Sequence, residues 1–351
     1  MKKSIMAAVA AAAFMGLGTV GTAVAADVSG FADIRYHALM DVEGLAATAS
    51  LLQGFSAPQA GQFSLNAEVD VIHKADDATV RIDLDLLNAL NPNGPTETGN
   101  TDVAVGAFNG EPVFSQVTVE QANVSMPLND MISLTAGLFN TPFGMEGQDA
   151  TDVNFAYQGA LQHTVPSNVG GAMVTVAPTD QVSVKAGYTN ARSDVTGAFD
   201  RANDYFVVAS FAPSETMAVT AGYQTDNGTT GGIKNAVGNQ IDVNVTADLG
   251  MANVAAEYLV GDPATGSNNF DSGYGLTLGY DVMDKVNVGY RYQAWTNEGA
   301  GQPDMSLHSA SLNLRSTDSC VIRVDYTNIV VDGSGVTTHG EDVTVQMVHS
   351  F

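Results

Sequence analysis

Five stretches of the chain repeat one short pattern at a nearly constant spacing. Each follows a polar turn, alternates apolar residues with small or polar ones, and reaches a Tyr near its far end. Successive starts are 35, 35, 34 and 35 residues apart, and the stretches begin at Val182, Met217, Ala252, Val286 and Val321. Helical solenoids also repeat at such intervals, but apolar residues at every second position exclude a helix and indicate a strand. The repeat therefore predicts a β-hairpin of two strands and one loop.

The same alternation continues along the chain and predicts an all-β fold of about sixteen antiparallel strands. The predicted strands are 28–40, 62–73, 78–87, 113–126, 131–139, 167–177, 181–190, 203–212, 217–225, 237–248, 250–260, 271–280, 285–295, 305–316, 320–330 and 341–351. Long connections are predicted at about 41–61, 88–112, 140–166, 191–202, 226–236, 261–270, 296–304 and 331–340. The connections between these long ones are short turns. This asymmetry is typical of a transmembrane β-barrel with long extracellular loops and short periplasmic turns, and it makes both termini periplasmic.

The polar and apolar faces of the strands indicate what surrounds the barrel. Residues 240–248 read Gln-Ile-Asp-Val-Asn-Val-Thr-Ala-Asp, with the aliphatic side chains on one face. A barrel of this size is too wide for side chains to fill, so its interior holds water and its apolar face meets lipid. Lys or Arg on that lipid face costs about 2–4 kcal/mol near the midplane. Six basic residues lie within predicted strands, and all have the polar parity: Arg35, Arg81, Lys185, Arg291, Arg315 and Arg323.

The first residues of the chain have the features of an export signal. Residues 1–26 are predicted to be a cleaved signal peptide, because Lys2 and Lys3 precede an apolar run that ends at a small-residue site, Ala23-Val24-Ala25. Residues 27–351 are then predicted to form a single barrel. No stretch beyond the signal approaches the roughly 20 apolar residues that a membrane helix needs.

The other end of the chain finishes within a predicted strand. In a closed barrel the last strand pairs with the first and leaves no free edge. The final alternating stretch ends on Phe351 and resembles the C-terminal signature of bacterial outer-membrane barrels, in which the last Phe is read by the barrel-assembly machinery. His349 departs from the apolar residue that is usual two positions before the end.

Composition excludes several classes of function. The chain has 38 acidic and 13 basic residues and a net charge of −25, and loss of Lys2 and Lys3 with the signal takes the net charge from −25 to −27. Such acidity argues against nucleic acid and anionic headgroups as partners. Cys320 is the only cysteine, which excludes a disulfide and a thiolate metal cluster. No His lies in a motif with a nucleophile, so the sequence predicts no enzyme, no metal and no cofactor.

The predicted loop 140–166 keeps an unusual number of apolar residues. A loop in water would seldom retain Phe143, Met145, Phe155 and Tyr157, so we expect it to fold against another part of the protein. Its start reads Gly137-x-Phe-x-Thr-Pro-Phe-Gly-x-Glu146. This segment resembles one found in the β-barrel porin families of proteobacteria. Its position after the fifth strand resembles that of the constriction loop of the sixteen-stranded general diffusion porins, which implies that loop 140–166 folds inward.

This resemblance implies a water-filled pore, often homotrimeric, in which acidic loop residues face basic residues of the wall. On this sequence the loop acids are Glu146, Asp149 and Asp152. The basic arc comprises residues on three consecutive strands and two more across the closure seam: Arg291, Arg315, Arg323, Arg35 and Arg81. The alternative for each Arg is an ion pair with a neighbouring carboxylate and no effect on transport. The wall is also mixed, because six acids share the lumenal parity: Asp33, Glu68, Asp70, Asp83, Asp85 and Glu120.

The predicted function is passive diffusion of small hydrophilic solutes and ions through the outer membrane. The acidic net charge favours cations, whereas a basic arc at the narrowest point would favour anions. The expected partners are outer-membrane lipid, the barrel-assembly machinery and the solutes. Two other hypotheses stay open: a non-conducting barrel whose external loops bind a partner as an adhesin or receptor, and a soluble secreted β-protein.

Overall fold

A computed structural model describes residues 26–41, 63–75, 77–88, 107–108, 111–112, 114–147, 149–165, 168–192, 199–225, 239–261, 270–297, 304–333 and 336–351. The predicted signal peptide lies outside the described residues apart from its last position, as do most residues of the predicted long connections at 41–61, 88–112, 226–236, 261–270 and 296–304. Within the described part of the chain, no helix is both long and apolar enough to span a membrane.

The described residues form eighteen strands, and sixteen of them close into one antiparallel barrel. Going along the chain, the strands are β1 (Asp27–Asp41), β2 (Phe63–Lys74), β3 (Thr79–Asn88), β4 (Ala107–Phe108), β5 (Glu111–Pro112), β6 (Phe114–Asn129), β7 (Ile132–Asn140), β8 (Asn168–Thr179), β9 (Val182–Arg192), β10 (Phe199–Ser214), β11 (Met217–Gln224), β12 (Gln240–Asp248), β13 (Ala252–Gly261), β14 (Phe270–Met283), β15 (Val286–Asn297), β16 (Asp304–Thr317), β17 (Cys320–Gly333) and β18 (Val336–Ser350). The two-residue strands β4 and β5 form a separate ladder. Neighbours in sequence are neighbours in the barrel, so the predicted fold class is confirmed.

The barrel closes where its first strand meets its last. β1 pairs with β18 from Phe31, opposite Ser350, to Asp41, opposite Glu341. The backbone N–H of Phe351 extends this pairing by donating to the Gly30 carbonyl at 3.0 Å. Closure satisfies every backbone donor and acceptor that an open sheet would leave at its edges, which is a requirement for strands in lipid.

The side chains of the barrel are arranged opposite to those of a soluble globular protein. On β12, Ile241, Val243 and Val245 are exposed on the outer face. The alternating residues Gln240 and Asp242 face the lumen and are only 1% and 2% exposed. Apolar residues therefore cover the outside and polar residues the inside, as in a barrel that is surrounded by hydrocarbon.

The tyrosines of the sequence repeat form a partial belt on the outer surface. Tyr188 and Tyr205 lie opposite one another on β9 and β10, and Tyr258 lies opposite Tyr274 on β13 and β14. All four are exposed and lie in the strand halves near the long loops. Aromatic belts of this kind occupy the interface between hydrocarbon and headgroups. Among described residues, exposed tyrosines occur only on β9 to β17.

One predicted loop is wrong. The alternation in the sequence predicts a strand at 320–330, a long loop at 331–340 and a final strand at 341–351. In the structure β17 extends to Gly333 and β18 begins at Val336, and these two residues pair with each other. The stretch Asp332-Gly-Ser-Gly is a tight hairpin signal, and the β-branched residues that follow continue the ladder.

Candidate functional site

The segment after β7 folds into the lumen, and its described residues up to Val165 lie there. We call residues 141–165 the inner loop; all but position 148 are described. Its apolar side chains are buried, with Phe155 and Leu161 only 2% and 0% exposed. A 3-10 helix at Ala160–Thr164 lies near the end of the inner loop. Apolar residues can be buried inside a water-filled barrel only if they pack against its wall or each other, and the contacts below show which wall.

The first turn of the inner loop is held by acids of two strands across the barrel. The backbone N–H of Gly144 donates to Asp242 Oδ2 on β12, and that of Met145 donates to Glu257 Oε1 on β13, both at 3.0 Å. Hydrogen bonds to a charged acceptor are among the stronger ones that a backbone N–H can make. The two carboxylates therefore fix the height and direction of the turn inside the lumen.

An apolar contact holds the same turn from the side. Phe143 meets Phe206 of β10 edge to face, with ring centroids 6.4 Å apart and planes at 84°. Its ring lies over Gly222 of β11, where an added Cβ would come within 2.9 Å of the ring. Such edge-to-face pairs are the geometry that aromatic rings prefer. A glycine at 222 therefore makes room for Phe143 on the lumenal wall.

Arg291 on β15 binds the middle of the inner loop. Its Nη1 atom donates to Glu146 Oε1 at 2.9 Å and to the Tyr157 carbonyl at 3.0 Å. The guanidinium carbon also lies 4.3 Å from the centroid of the Phe155 ring. Arg291 is 1% exposed, so its charge is neutralised by Glu146 and enclosed by the loop. The side chain anchors the loop to the wall.

Arg323 on β17 binds a second part of the inner loop. Its Nη1 donates to the Ala150 carbonyl at 2.8 Å and to Gln346 Oε1 on β18 at 2.9 Å. Asp325, two residues further on, accepts from the backbone N–H of Ala156 at 2.5 Å. Polar side chains of β15 to β18 therefore make the hydrogen bonds that water would otherwise make with the backbone of the loop.

The remaining predicted basic residues lie in three different settings. Arg35 pairs with Asp33 at 2.5 Å and stacks at 4.9 Å from the centroid of the Tyr157 ring. Arg81 pairs with Asp83 at 2.6 Å. Arg315 is exposed and lies next to the short turn that ends β16.

The predicted arc therefore differs from the arrangement in the structure. Arg291 and Arg323 lie beneath the inner loop and contact it directly, so they do not face it across an open gap. The alternative of an ion pair with a nearby acid describes Arg35 and Arg81. Arg291 and Arg323 contact the loop because its backbone carbonyls and the Glu146 carboxylate accept hydrogen bonds from guanidinium groups.

The predicted loop acids are also divided. Glu146 faces Arg291 and also accepts from the backbone N–H of Gly159. Asp152 is exposed, and its N–H donates to the Asp149 carbonyl at 3.0 Å in a tight turn. Burial, together with the negative charges of Glu120 and Asp152, raises the pKa of Asp149 to about 6. Asp149 is therefore a loop acid that faces other acids.

The acids near Asp149 belong to strands that the inner loop does not cover. We call Glu68, Asp70, Asp83, Asp85 and Glu120 the acidic wall. In the β2–β3 pair, Glu68 lies opposite Asp85 and Asp70 lies opposite Asp83. Glu120 is the extra residue of a β-bulge in β6, between the partners of Asp83 and Leu84. The sequence showed the lumenal parity of these acids but not their cross-strand register.

The lumen thus has two unlike sides. On one side the inner loop packs on β10 to β18 and on Arg35 of β1, and it encloses Arg291 and Arg323. On the other side Arg81 pairs with Asp83 and approaches Asp70 of the acidic wall, and its side chain is 36% exposed. Five carboxyl groups lie together on this side.

Comparison with known families agrees with this architecture. A family model described as "Putative beta-barrel porin-2, OmpL-like" matches residues 27–347, nearly the whole barrel. The chain belongs to this family. The predicted recognition as an outer-membrane β-barrel porin is confirmed, and the family places the protein in the outer membrane. No curated protein matches the sequence significantly.

Solved structures with the same fold are outer-membrane channels and porins of low sequence identity. OprB of Pseudomonas putida, in its high pH structure, superposes with a TM-score of 0.62 at 11% identity, covering 93% of this chain and 94% of that one. An anion-selective porin from Comamonas acidovorans gives 0.58 at 10% identity, with 93% and 99% covered. The trimer form of OmpT, an outer membrane protein of Vibrio cholerae, gives 0.55 at 13%, with 93% and 100% covered. At these identities the likeness establishes the fold.

Proposed function

We propose that the protein is a non-enzymatic porin, through which small hydrophilic solutes and ions diffuse down their gradients. The uneven filling of the lumen supports this most strongly. Polar residues under the inner loop are almost fully buried. On the other side Glu68 and Asp83 are buried as well, but the side chains of Asp70 and Arg81 remain 16% and 36% exposed. Thr175, Ser183 and Lys185 on β8 and β9 are half-buried on the same uncovered side. A polar strip of this kind, in a barrel wide enough to hold water, is a path for hydrated solutes.

We propose further that the channel prefers cations. The basic residues that would favour anions, Arg291 and Arg323, are enclosed by the loop, and the charge of Arg291 is neutralised by Glu146. The acidic wall contributes five carboxyl groups beside the single guanidinium of Arg81. Fixed negative charge along a pore raises the local concentration of cations and lowers that of anions. One of the fold neighbours is described as anion-selective, so this preference rests on the residues of this chain.

The surroundings of the barrel are part of the same proposal. Residues 1–26 direct export, the barrel-assembly machinery reads Phe351, and the short turns with both termini face the periplasm. The long loops are then extracellular.

We also propose that the barrel is a homotrimer. The outer faces of β2 to β8 carry apolar residues such as Val124 and Val174 but no exposed tyrosine among the described positions. A lipid-facing surface would be expected to carry aromatic residues at the headgroup level, so another subunit is the better cover for this face. OmpT, with the same fold, is known in a trimer form. Unheated electrophoresis of the native protein should give a band of three subunits.

The deciding experiment is single-channel recording of the refolded mature protein in planar bilayers, with reversal potentials across a KCl gradient. Discrete conductance steps and a cation-directed reversal potential are expected. The variant Asp70→Asn should shift the reversal potential towards zero, because it removes one charge of the acidic wall. The matched control is Asp180→Asn, which removes the same charge from an exposed short turn and should shift it much less.

Two outcomes would contradict the proposal. A folded barrel without conductance would reject the channel and favour the adhesin or receptor hypothesis, in which the inner loop is a plug. An anion-directed reversal potential would keep the channel and reject the cation preference.

A further inference from the structure

We propose that the acidic wall is a binding site for a divalent cation of the Ca²⁺ type, built into the barrel beside the inner loop. Two overlapping sets of side chains carry this inference. One oxygen each of Glu68, Asp70 and Asp83 lie within 4.8 Å of one another, and so do one oxygen each of Glu68, Asp85 and Glu120. Glu68 belongs to both sets and is therefore the centre of the site.

The fold brings these acids together against their electrostatic repulsion. Like charges directly opposite on neighbouring strands destabilise a sheet, yet the β2–β3 register sets Glu68 against Asp85 and Asp70 against Asp83. The bulge at Glu120 turns an additional carboxylate towards the same place, and bulges often re-aim side chains near functional sites. An arrangement that gathers five carboxyl groups gains stability when a cation neutralises them.

The hydrogen bonds of the cluster leave particular oxygens unused. Ser29 Oγ donates to Asp70 Oδ2 at 3.2 Å. Asp83 Oδ2 accepts from Arg81 Nε at 2.6 Å and from Gln121 Nε2 at 2.5 Å. In each case the donor approaches one oxygen of the carboxylate, and the second oxygen remains.

Those second oxygens point to a ligand. In the described part of the chain, Glu68 Oε1, Asp70 Oδ1 and Asp83 Oδ1 are buried and have no hydrogen-bond partner; Arg81 Nη2 approaches Asp70 Oδ1 only to 3.7 Å. Glu68 is 2% exposed and Asp83 is 0% exposed. A buried carboxylate oxygen without a partner costs free energy. Three such oxygens come from the first set of acids. Because they are buried away from water, a bound cation would satisfy them better than solvent would.

The donor set favours Ca²⁺ over other common divalent ions. All candidate ligands are carboxylate oxygens, which suit hard cations, and no His or Cys belongs to either set. Ca²⁺ accepts six to eight oxygens in flexible geometry, whereas Mg²⁺ requires a near-ideal octahedron and keeps several waters. Carboxylates on three different strands with a bulge among them provide many oxygens in an irregular arrangement, so we expect Ca²⁺ to bind more tightly than Mg²⁺.

The site would have a consequence for transport, and that part of the inference rests on the proposed porin function. Binding of Ca²⁺ neutralises two charges of the acidic wall, so the cation preference of the pore should fall when Ca²⁺ is added. The channel would then be most cation-selective where free Ca²⁺ is scarce. Binding itself does not require the barrel to conduct.

The test is therefore made first by binding and then by conductance. Refolded, chelator-treated barrel in detergent is titrated with CaCl₂, and separately with MgCl₂, in an isothermal calorimeter. We expect one saturable Ca²⁺ site and weaker Mg²⁺ binding. Glu68→Gln should weaken Ca²⁺ binding by about 10-fold or more, because it removes the ligand that the two sets share. Glu215→Gln, in the exposed turn between β10 and β11, is the matched control and should bind as the unaltered protein does.

The outcomes separate the site from the pore. Absence of saturable Ca²⁺ binding to a folded barrel would overturn the site, as would equal binding by Glu68→Gln and the unaltered protein. If Glu68→Gln fails to fold, Asp70→Asn replaces it, because the Asp70 side chain is 16% exposed and less buried. The same loss of Ca²⁺ affinity is expected. Saturable binding together with a barrel that does not conduct would keep the site and reject only the porin function.

Discussion

The two sides of the lumen are built from strands with the same alternation of polar and apolar residues. They differ in how the polar side chains that face the lumen are satisfied. On β15 and β17 the lumenal residues Arg291 and Arg323 are covered by the inner loop and bonded to it. On β2 and β3 the lumenal residues Glu68 and Asp83 each keep a carboxylate oxygen that has no hydrogen-bond partner among the described residues. Polar parity alone does not distinguish these sides. The difference is made by which wall the inner loop contacts.

The comparison shows how the proposed cation preference is compatible with basic residues in the lumen. A guanidinium group contributes to the field of a pore only if it faces water. Arg291 is paired with Glu146 and stacked on Phe155, so its charge holds the loop in position. Under the proposed porin function, the acids of the uncovered wall contribute most of the field that a passing ion meets.

The covered side should be most sensitive to loss of Arg291. Arg291→Ala removes one member of a buried ion pair and leaves Glu146 unpaired, which should destabilise the barrel by about 3–5 kcal/mol. The inner loop should also detach and the single-channel conductance should rise. Heat-modifiable gel mobility and bilayer recording measure the two effects. Unchanged conductance in a folded variant would show that Arg291 does not hold the loop.

A smaller effect is expected from the apolar contact of the loop. Phe143→Leu should cost about 1–2 kcal/mol, because it removes part of a buried ring and the edge-to-face contact with Phe206. Phe211→Leu is the matched control, since Phe211 lies on the outer face of β10 and is 48% exposed. The melting temperature of the control should stay close to that of the unaltered protein. An equal decrease in both variants would indicate that Phe143 does not anchor the loop.

Asp149 allows the uncovered side to be tested by pH. Its pKa of about 6 lies above the usual value for an Asp because of burial and the nearby carboxylates of Glu120 and Asp152, while Arg81 acts in the opposite direction. Asp149 is therefore charged above pH 6 and neutral below it. Acidification through about pH 6 should weaken the cation preference, which reversal potentials measure.

The variant Asp149→Asn provides the control for that titration. It should have a weaker cation preference at neutral pH and should lose the component of the pH dependence centred near 6. The raised pKa also means that the charged form opposes folding. Removing the charge should therefore increase stability above pH 6 and have little effect at low pH, where the carboxyl is already protonated. A pH profile identical to that of the unaltered protein would contradict this role.

The smallest effect is expected for Arg315. It has the same parity as Arg323 but is exposed beside a short turn, so Arg315→Ala should change stability by less than about 0.5 kcal/mol. Its single-channel conductance should also stay close to that of the unaltered protein. A change as large as that of Arg291→Ala would restore the predicted basic arc, in which Arg315 faces the pore.

Much of the fold could be predicted because the information is local. Alternation of period two identifies a strand wherever one face meets lipid and the other meets water. The same alternation assigns Arg35, Arg81 and Arg323 to the lumen. The loop predicted at 331–340 is wrong because β17 and β18 continue to pair as far as Gly333 and Val336.

The candidate site could be predicted only in part. The apolar content of the segment from Phe143 to Tyr157 indicated a loop that avoids water, and the family-like motif indicated its place. Neither indicates which wall the loop contacts, because Arg291 and Arg323 are 145 and 168 residues away from Glu146 and Phe155. Contacts at such separations depend on how the closed barrel sets the loop against its strands.

The amino-acid sequence alone is enough to predict a barrel with an apolar outer face, a polar inner face and a negative net charge, because these properties follow from residue type and from the two-residue alternation of a strand. Which charged side chains are enclosed by the inner loop and which are left uncovered depends on the tertiary structure. Closure of the barrel placed the inner loop on Arg291 and Arg323, and the β2–β3 register with the bulge at Glu120 gathered the acids opposite. The strand register and the wall that the inner loop contacts both depend on how all the strands pair in the closed barrel. Neither can be read from the sequence of a single strand.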